Sequence, residues 1–158
     1  MGSIPERAPV EVSVAIQAND SKSVVDLSNS IGSLGAAYSP EDNDGRLKLL
    51  EQARSLVTAL ETPRETMIRH LWAQPAASFS IAAGVKSGLW KFMANNPGPK
   101  TIAELSNALN FDVDVLSRLL RHLAAMGYLR EVGPDEYEAI NFTKALSLPI
   151  ISDGYSCV

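Results

Sequence analysis

The strongest constraint on the fold lies between Thr101 and Leu146, where two capped apolar helices are followed by a tight turn between two β-prone segments. "TIAELSNAL" opens on Thr101 and carries Glu104 three residues on, the capping-box pair in which hydroxyl and carboxylate satisfy the free N–H groups of a first helical turn. Ile102, Leu105 and Leu109 form its inner face. Asp112 can then cap "VDVLSRLLRHLAAMGY", in which Val115, Leu116, Leu119, Leu120 and Leu123 make a broad apolar stripe. Gly127 stands where a helix end favours a left-handed residue. "YLREV" and "EYEAI" flank "GPD", so two short strands are expected around a turn. Helix, turn, helix and β-hairpin in this order predict a mainly α fold with a winged helix-turn-helix.

A motif of that shape raises the question of DNA, and the charges answer it. Residues 101–140 hold three cations, Arg118, Arg121 and Arg130, against seven acids, Glu104, Asp112, Asp114, Glu131, Asp135, Glu136 and Glu138. Three of the acids lie near the wing tip and second strand, where phosphate contact would be repelled. The whole chain agrees in sign, with net charge −4 and a pI near 5.2. Arg118 and Arg121 therefore read as solvated or acid-paired, His122 as a hydrogen-bonded boundary residue, and no nucleic-acid partner is expected. A stand-alone winged-helix regulator remains the competing reading from a different class, and salt-dependent DNA retention would be its signature.

Upstream, "QPAASFSIAAGVKSGLWKFMANNPGPK", residues 74–100, is dense in alanine, glycine and serine, which let helices approach closely. Phe79, Ile81, Val85, Leu89, Trp90, Phe92 and Met93 supply bulk around the whole circumference, so this helix should be buried, in the chain's own core or against a second chain. Pro97 and Pro99 end it. Leu27, Ile31, Leu34 and Tyr38 trace an amphipathic helix whose stripe needs a partner. A longer helix follows, with Ser39 as its cap, Pro40 at its first position, and Leu47, Leu50, Ala53, Val57 and Leu60 along one face. Thr62, Pro63 and Glu65 start a third, which carries "TMIRHLW". Residues before Asp26 read as a loosely ordered arm.

Several chemistries are excluded. The one cysteine, Cys157, permits neither an internal disulfide nor a cysteine-based zinc site, and His70 and His122 have no ligand set around them. No G-x-G, phosphate-loop or H-E-x-x-H pattern occurs. "MGSIPERAPVEVSV" has no secretory layout, Glu6 stands where a myristoylation signal wants serine or threonine, and no apolar run approaches a membrane span of roughly 18 residues. A cytoplasmic setting without membrane attachment is expected.

"TIAELSNALNFDVDV", the run "RLLRHLAAMGYL" with its wing and "FTKAL", and the preceding "SIAAGVKSGLWKFM" together resemble the N-terminal dimerisation domain of fungal and plant-type S-adenosylmethionine-dependent O-methyltransferases of natural-product biosynthesis. The resemblance covers roughly residues 40–158. With the arm over 1–25 read from composition, the expected domains are a helical dimerisation region over 26–100, a winged helix over 101–148 and, as the resemblance implies, the start over 149–158 of a linker to a catalytic Rossmann-like domain that this chain lacks. The resemblance further implies an interlocked homodimer built on Phe79, Ile81, Val85, Leu89, Trp90, Phe92 and Met93, and a domain that roofs a small-molecule pocket. Trp72, Tyr155, Ser156 and Cys157 are the candidates for lining that pocket.

No catalytic, cofactor or metal residue carries over, because the family's general base and its S-adenosylmethionine site belong to the part not present. On its own the chain is not expected to be catalytic; its parent would methylate a hydroxyl, or use the same pocket for a pericyclic cyclisation. The remaining alternative is a non-catalytic partner that pairs with a separate catalytic chain.

Overall fold

The computed structural model describes residues 10–156. The fold is mainly α with a small antiparallel sheet, and the chain divides into two compact units at Arg69 and His70.

The first unit is a short 3-10 turn at Val12–Ile16 followed by α1 (Val24–Ala36), α2 (Asn43–Leu60) and α3 (Pro63–Ile68). α1 and α2 pack on one another. The start of α2 differs from the sequence expectation. Asp42, not Ser39, is the cap, its carboxylate accepting from the Gly45 N–H at 3.0 Å, while Ser39 to Asp42 close a turn and the Ser39 hydroxyl bonds Glu41. A carboxylate next to the positive end of the helix outcompetes a hydroxyl three residues earlier. α3 has both halves of the Thr62–Glu65 box, as expected. The arm is tied down from Asn19 onward: the N–H groups of Asn19 and Asp20 donate to the carbonyls of Glu61 and Ala59, both at 3.0 Å.

The helix expected to carry "TMIRHLW" as one piece instead changes, after Ile68, into a π-turn at Arg69–Ala73. The second unit continues with α4 (Gln74–Ser87), α5 (Leu89–Asn95), β1 (Lys100–Thr101), α6 (Ile102–Leu109), α7 (Val113–Ala125), β2 (Arg130–Gly133), β3 (Glu136–Glu138), α8 (Asn141–Ala145), α9 (Pro149–Ser152) and a 3-10 turn at Asp153–Tyr155. The stretch read as one buried helix is two, broken at Gly88, whose φ of +79° favours a residue without a side chain. The break folds α5 back so that Trp90 lies on Gly84, where any Cβ would collide with the indole, and the indole N–H donates to the Ile81 carbonyl at 3.0 Å.

The same core cluster as Trp90 holds Leu105 from α6, Leu116, Leu120 and Leu123 from α7, Leu129 and Tyr137 from the hairpin region, and Leu146. The caps of α6 (Thr101 with Glu104) and α7 (Asp112 to the Val115 N–H, 2.9 Å) stand as the sequence indicates. So does the left-handed Gly127. The hairpin is joined by a third strand too short to show in the sequence, giving the order β1-β3-β2 with a bulge between Glu131 and Gly133.

Ile81, Leu89, Trp90 and Met93 are thus buried inside this unit, and Val85 and Phe92 half-buried against it. The stretch expected to be buried in the chain's own core or against a second chain is thus divided between the two surroundings. Four of the seven bulky residues are occupied by the chain's own core because α5 folds back on α4, and Phe79, at 65% exposure, is the member of the set turned to solvent.

Tyr137 is fully buried, yet its hydroxyl has no hydrogen-bond partner among the described residues. Burial, reinforced by Glu131 and Asp135, pushes its ionisation above the ordinary value of 10.0, partly offset by Arg121. Raised in the folded state, this group contributes stability that is present below pH 10.0 and is lost as the pH rises through the folded value. Tyr137→Phe is therefore expected to fold with unchanged or slightly greater stability at pH 7, since it removes an unsatisfied hydroxyl, and to resist unfolding above pH 10 better than the wild type. Urea titrations at pH 7 and pH 10.5 check both statements; equal losses in the two proteins on raising the pH would refute the second.

Candidate functional site

In the first unit the described residues bury only Ala59. Leu47, Leu50, Val57 and Leu60 on α2 are 36 to 54% exposed, and Tyr38 at the end of α1 is 49% exposed. Two helices cannot enclose an apolar stripe by themselves. What remains is an open groove of about 730 Å³ whose apolar lining is Leu27, Leu47, Leu50 and Ala59, with Glu51 and Arg54 among its polar residues. The stripe was visible in the sequence; the groove was not, because it depends on how α1 and the Asn19–Asp20 segment lie against α2.

The second unit has a closed core, with exposed apolar side chains at Val113, Val115 and Val132 and three further groups. Leu71 and Trp72 project from the π-turn at 62 and 64% exposure. Phe79 projects from α4. Leu148, Ile150 and Ile151 form an apolar end around Pro149, with Ile150 at 86% exposure. Of the residues suggested to line a pocket, Trp72 is in this exposed set. Tyr155 packs half-buried on the core, from a 3-10 turn that lies against α4. Ser156 is exposed and its hydroxyl donates to the Ser152 carbonyl, and Cys157 lies outside the described residues.

On the wing and α7, two of the three arginines of residues 101–140 stand beside acids, while Arg118 is exposed. Arg121 stands 3.6 Å from the Asp135 carboxylate and donates to the Ser117 hydroxyl, and Arg130 pairs with Glu138 across the hairpin at 3.3 Å. Each pair is exposed and adds little stability, but each places an acid beside a cation that DNA would need. His122 reaches out of α7 to the Ala73 carbonyl at 3.0 Å. His70 is exposed on the π-turn. Among the described residues there is no cluster of three or more histidines, cysteines or acids able to hold a metal ion. No helix among them is long and apolar enough to cross a membrane.

No protein-family model matches the sequence. The chain is 28% identical over 114 residues to O-methyltransferase lepI of Aspergillus flavus, a match spanning 72% of this chain and 29% of that protein. It is 28% identical over 142 residues to 16-O-methyltransferase bsc6 of Alternaria brassicicola, spanning 89% of this chain and 35% of the relative. Among solved structures, LepI in complex with SAM matches with a TM-score of 0.69 at 25% identity, over 85% of this chain and 33% of that one. OxaC in complex with sinefungin and meleagrin shares the fold, with a TM-score of 0.71 at 20% identity, over 86% of this chain and 34% of that one.

Fold and relatives define the class: a mainly helical domain with a short β wing, of the type that fungal S-adenosylmethionine-dependent O-methyltransferases carry at their N-terminus. This chain is similar to that domain in sequence and fold, and it spans about a third of the length of the curated relatives it matches.

Proposed function

We propose that the chain is the dimerisation and substrate-capping domain of an O-methyltransferase-like protein of secondary metabolism, and that it acts as a homodimer. The observation that carries the proposal is the incompleteness of the first unit, whose α1–α2 stripe and groove leave four apolar side chains of α2 at least one-third exposed. Completing the burial of each would contribute about 1 kcal/mol, and a second copy presents the same need with the same chemistry. Phe79 is the residue of the second unit assigned to that interface, with Val85 and Phe92 at its rim. Trp72, Tyr155 and Ser156, with Cys157 beyond them, are assigned to the roof of the small-molecule pocket.

S-adenosylmethionine does not fit the residues present. The described strands form an antiparallel sheet, and none passes through a glycine-rich turn into a helix, the arrangement that holds such a cofactor at a helix N-terminus. The cofactor and the methyl transfer are assigned to the remainder of the parent, and a methyl acceptor of small natural-product type to the space that this domain covers. The pairing of Arg121 and Arg130 with acids disfavours the DNA-binding reading, and no feature of this chain favours cyclisation over methyl transfer.

Hydroxyl-radical footprinting at high and low protein concentration tests the reading side chain by side chain. Leu47, Leu50 and Phe79 are expected to be protected at high concentration and oxidised on dilution, while Ile150 stays reactive in this chain at both. Equal reactivity of the first three at every concentration would refute self-association through these faces.

A further inference from the structure

The described chain opens on a strip of alternating apolar residues, Val10, Val12, Val14 and Ile16, with Glu11, Ser13 and Ala15 between them. A period of two places such residues on one face of an extended chain. The strip instead holds the 3-10 turn Val12–Ile16, which lies beside α3. At three residues per turn, positions 12, 14 and 16 fan out around the whole axis. All four apolar side chains are accordingly exposed, by 48 to 86%. Pattern and conformation disagree here, and the apolar face has no partner in its own chain.

The same unit has the opposite deficit. The α1–α2 groove is open, with apolar lining, and none of residues 10–16 lines it. Its α2 wall runs from Leu47 to Ala59, a length of about 18 Å at the helical rise. Extended, residues 10–16 span about 20 Å, so the strip matches the groove in length as well as in character. Glu11, its one charged residue, has a counterpart in Arg54 of the groove lining, which forms no salt bridge among the described residues. The strip also leaves from a fixed point. Asn19 and Asp20 stand among the groove-lining residues and are tied to the end of α2, where the Asn19 side-chain amide adds a bond to the Thr58 carbonyl at 3.2 Å.

We propose that the strip Val10–Ile16 of one chain lies extended in the α1–α2 groove of a second copy, in a reciprocal exchange. Each chain carries both the open groove and the unplaced strip, so a two-fold pairing fills both at once. The proposal rests on self-association through this groove and names what enters it. Only the first unit of each chain takes part.

Disulfide trapping and a deletion test it together. In a Cys157→Ser background, each of Val12→Cys and Val14→Cys is combined with each of Leu47→Cys and Leu50→Cys, and the purified chains are oxidised at high concentration. A disulfide needs its two Cα atoms within about 7 Å, so a bond reports register as well as contact. At least one combination is expected to give a band of twice the chain mass on a non-reducing gel, which the matching single-cysteine variants do not give. Removal of residues 1–17, which keeps Asn19 and Asp20, is expected to weaken self-association at least about tenfold, with the helix content unchanged. A bond formed within one chain would place the strip in its own groove and overturn the exchange. So would the absence of any cross-chain bond, or a deletion variant that associates as the wild type does. In a wild type that self-associates, these outcomes refute only the placement of the strip; a wild type that is a monomer at every concentration refutes the dimerisation reading itself.

Discussion

Trp90→Ala is expected to lose about 3–5 kcal/mol of stability, a large part of what a domain of this size has. Trp90 is 1% exposed, belongs to the second unit's core cluster and donates to the Ile81 carbonyl. Truncation therefore leaves both a cavity and an acceptor without its donor. The complementary change, Gly84→Val, should be damaging for the opposite reason: a side chain at 84 would occupy the space of the indole, and neither α4 nor α5 can yield without breaking the turn at Gly88. Urea denaturation followed by far-ultraviolet circular dichroism measures both. A loss under 1 kcal/mol for Trp90→Ala would mean that α5 does not pack on α4 as described.

The second large effect is expected on association. Leu47→Glu combined with Leu50→Glu places two carboxylates in the α1–α2 groove, beside Glu51. Both leucines are already at least 36% exposed, so the fold of a single chain should tolerate the change. Buried against a second copy, the same carboxylates would be desolvated without partners, at several kcal/mol each. The double variant is thus expected to weaken self-association by more than about a hundredfold, two losses of the size that a buried unpaired charge brings, while its helix content stays that of the wild type. Sedimentation velocity over a concentration series reads the first and circular dichroism the second. Undiminished association in a folded variant would remove the groove from the interface.

Where a structural feature depends on residues a few positions apart, it could be read from the sequence. The Thr62–Glu65 and Thr101–Glu104 boxes, the Asp112 cap, Gly127 and the hairpin are of this kind, and with them came the order α6, α7, β2, β3. Asp42 shows the limit even locally, since Ser39 and Asp42 both suit a cap and only their competition decides. Other features are made by distant partners. Gly88 breaks the apolar run because Gly84 is small enough to receive Trp90, and "RHLWA" becomes a π-turn with an end held by His122; neither run has an unusual local pattern. For the candidate surfaces the division is similar. The α1 stripe declared its need for a partner, whereas only the fold separates Phe79, which is free to meet one, from Trp90 and Met93, which are not.

The most direct test of the central claim is the solution mass of the 17.0 kDa chain by light scattering, with a denaturing gel run on the same peak. A particle of twice the chain mass containing one band is the expected result, and it establishes that this domain pairs with itself. A particle of 17.0 kDa at all concentrations would contradict the dimerisation role, and a heavier one with a second band would replace the homodimer with a separate partner chain.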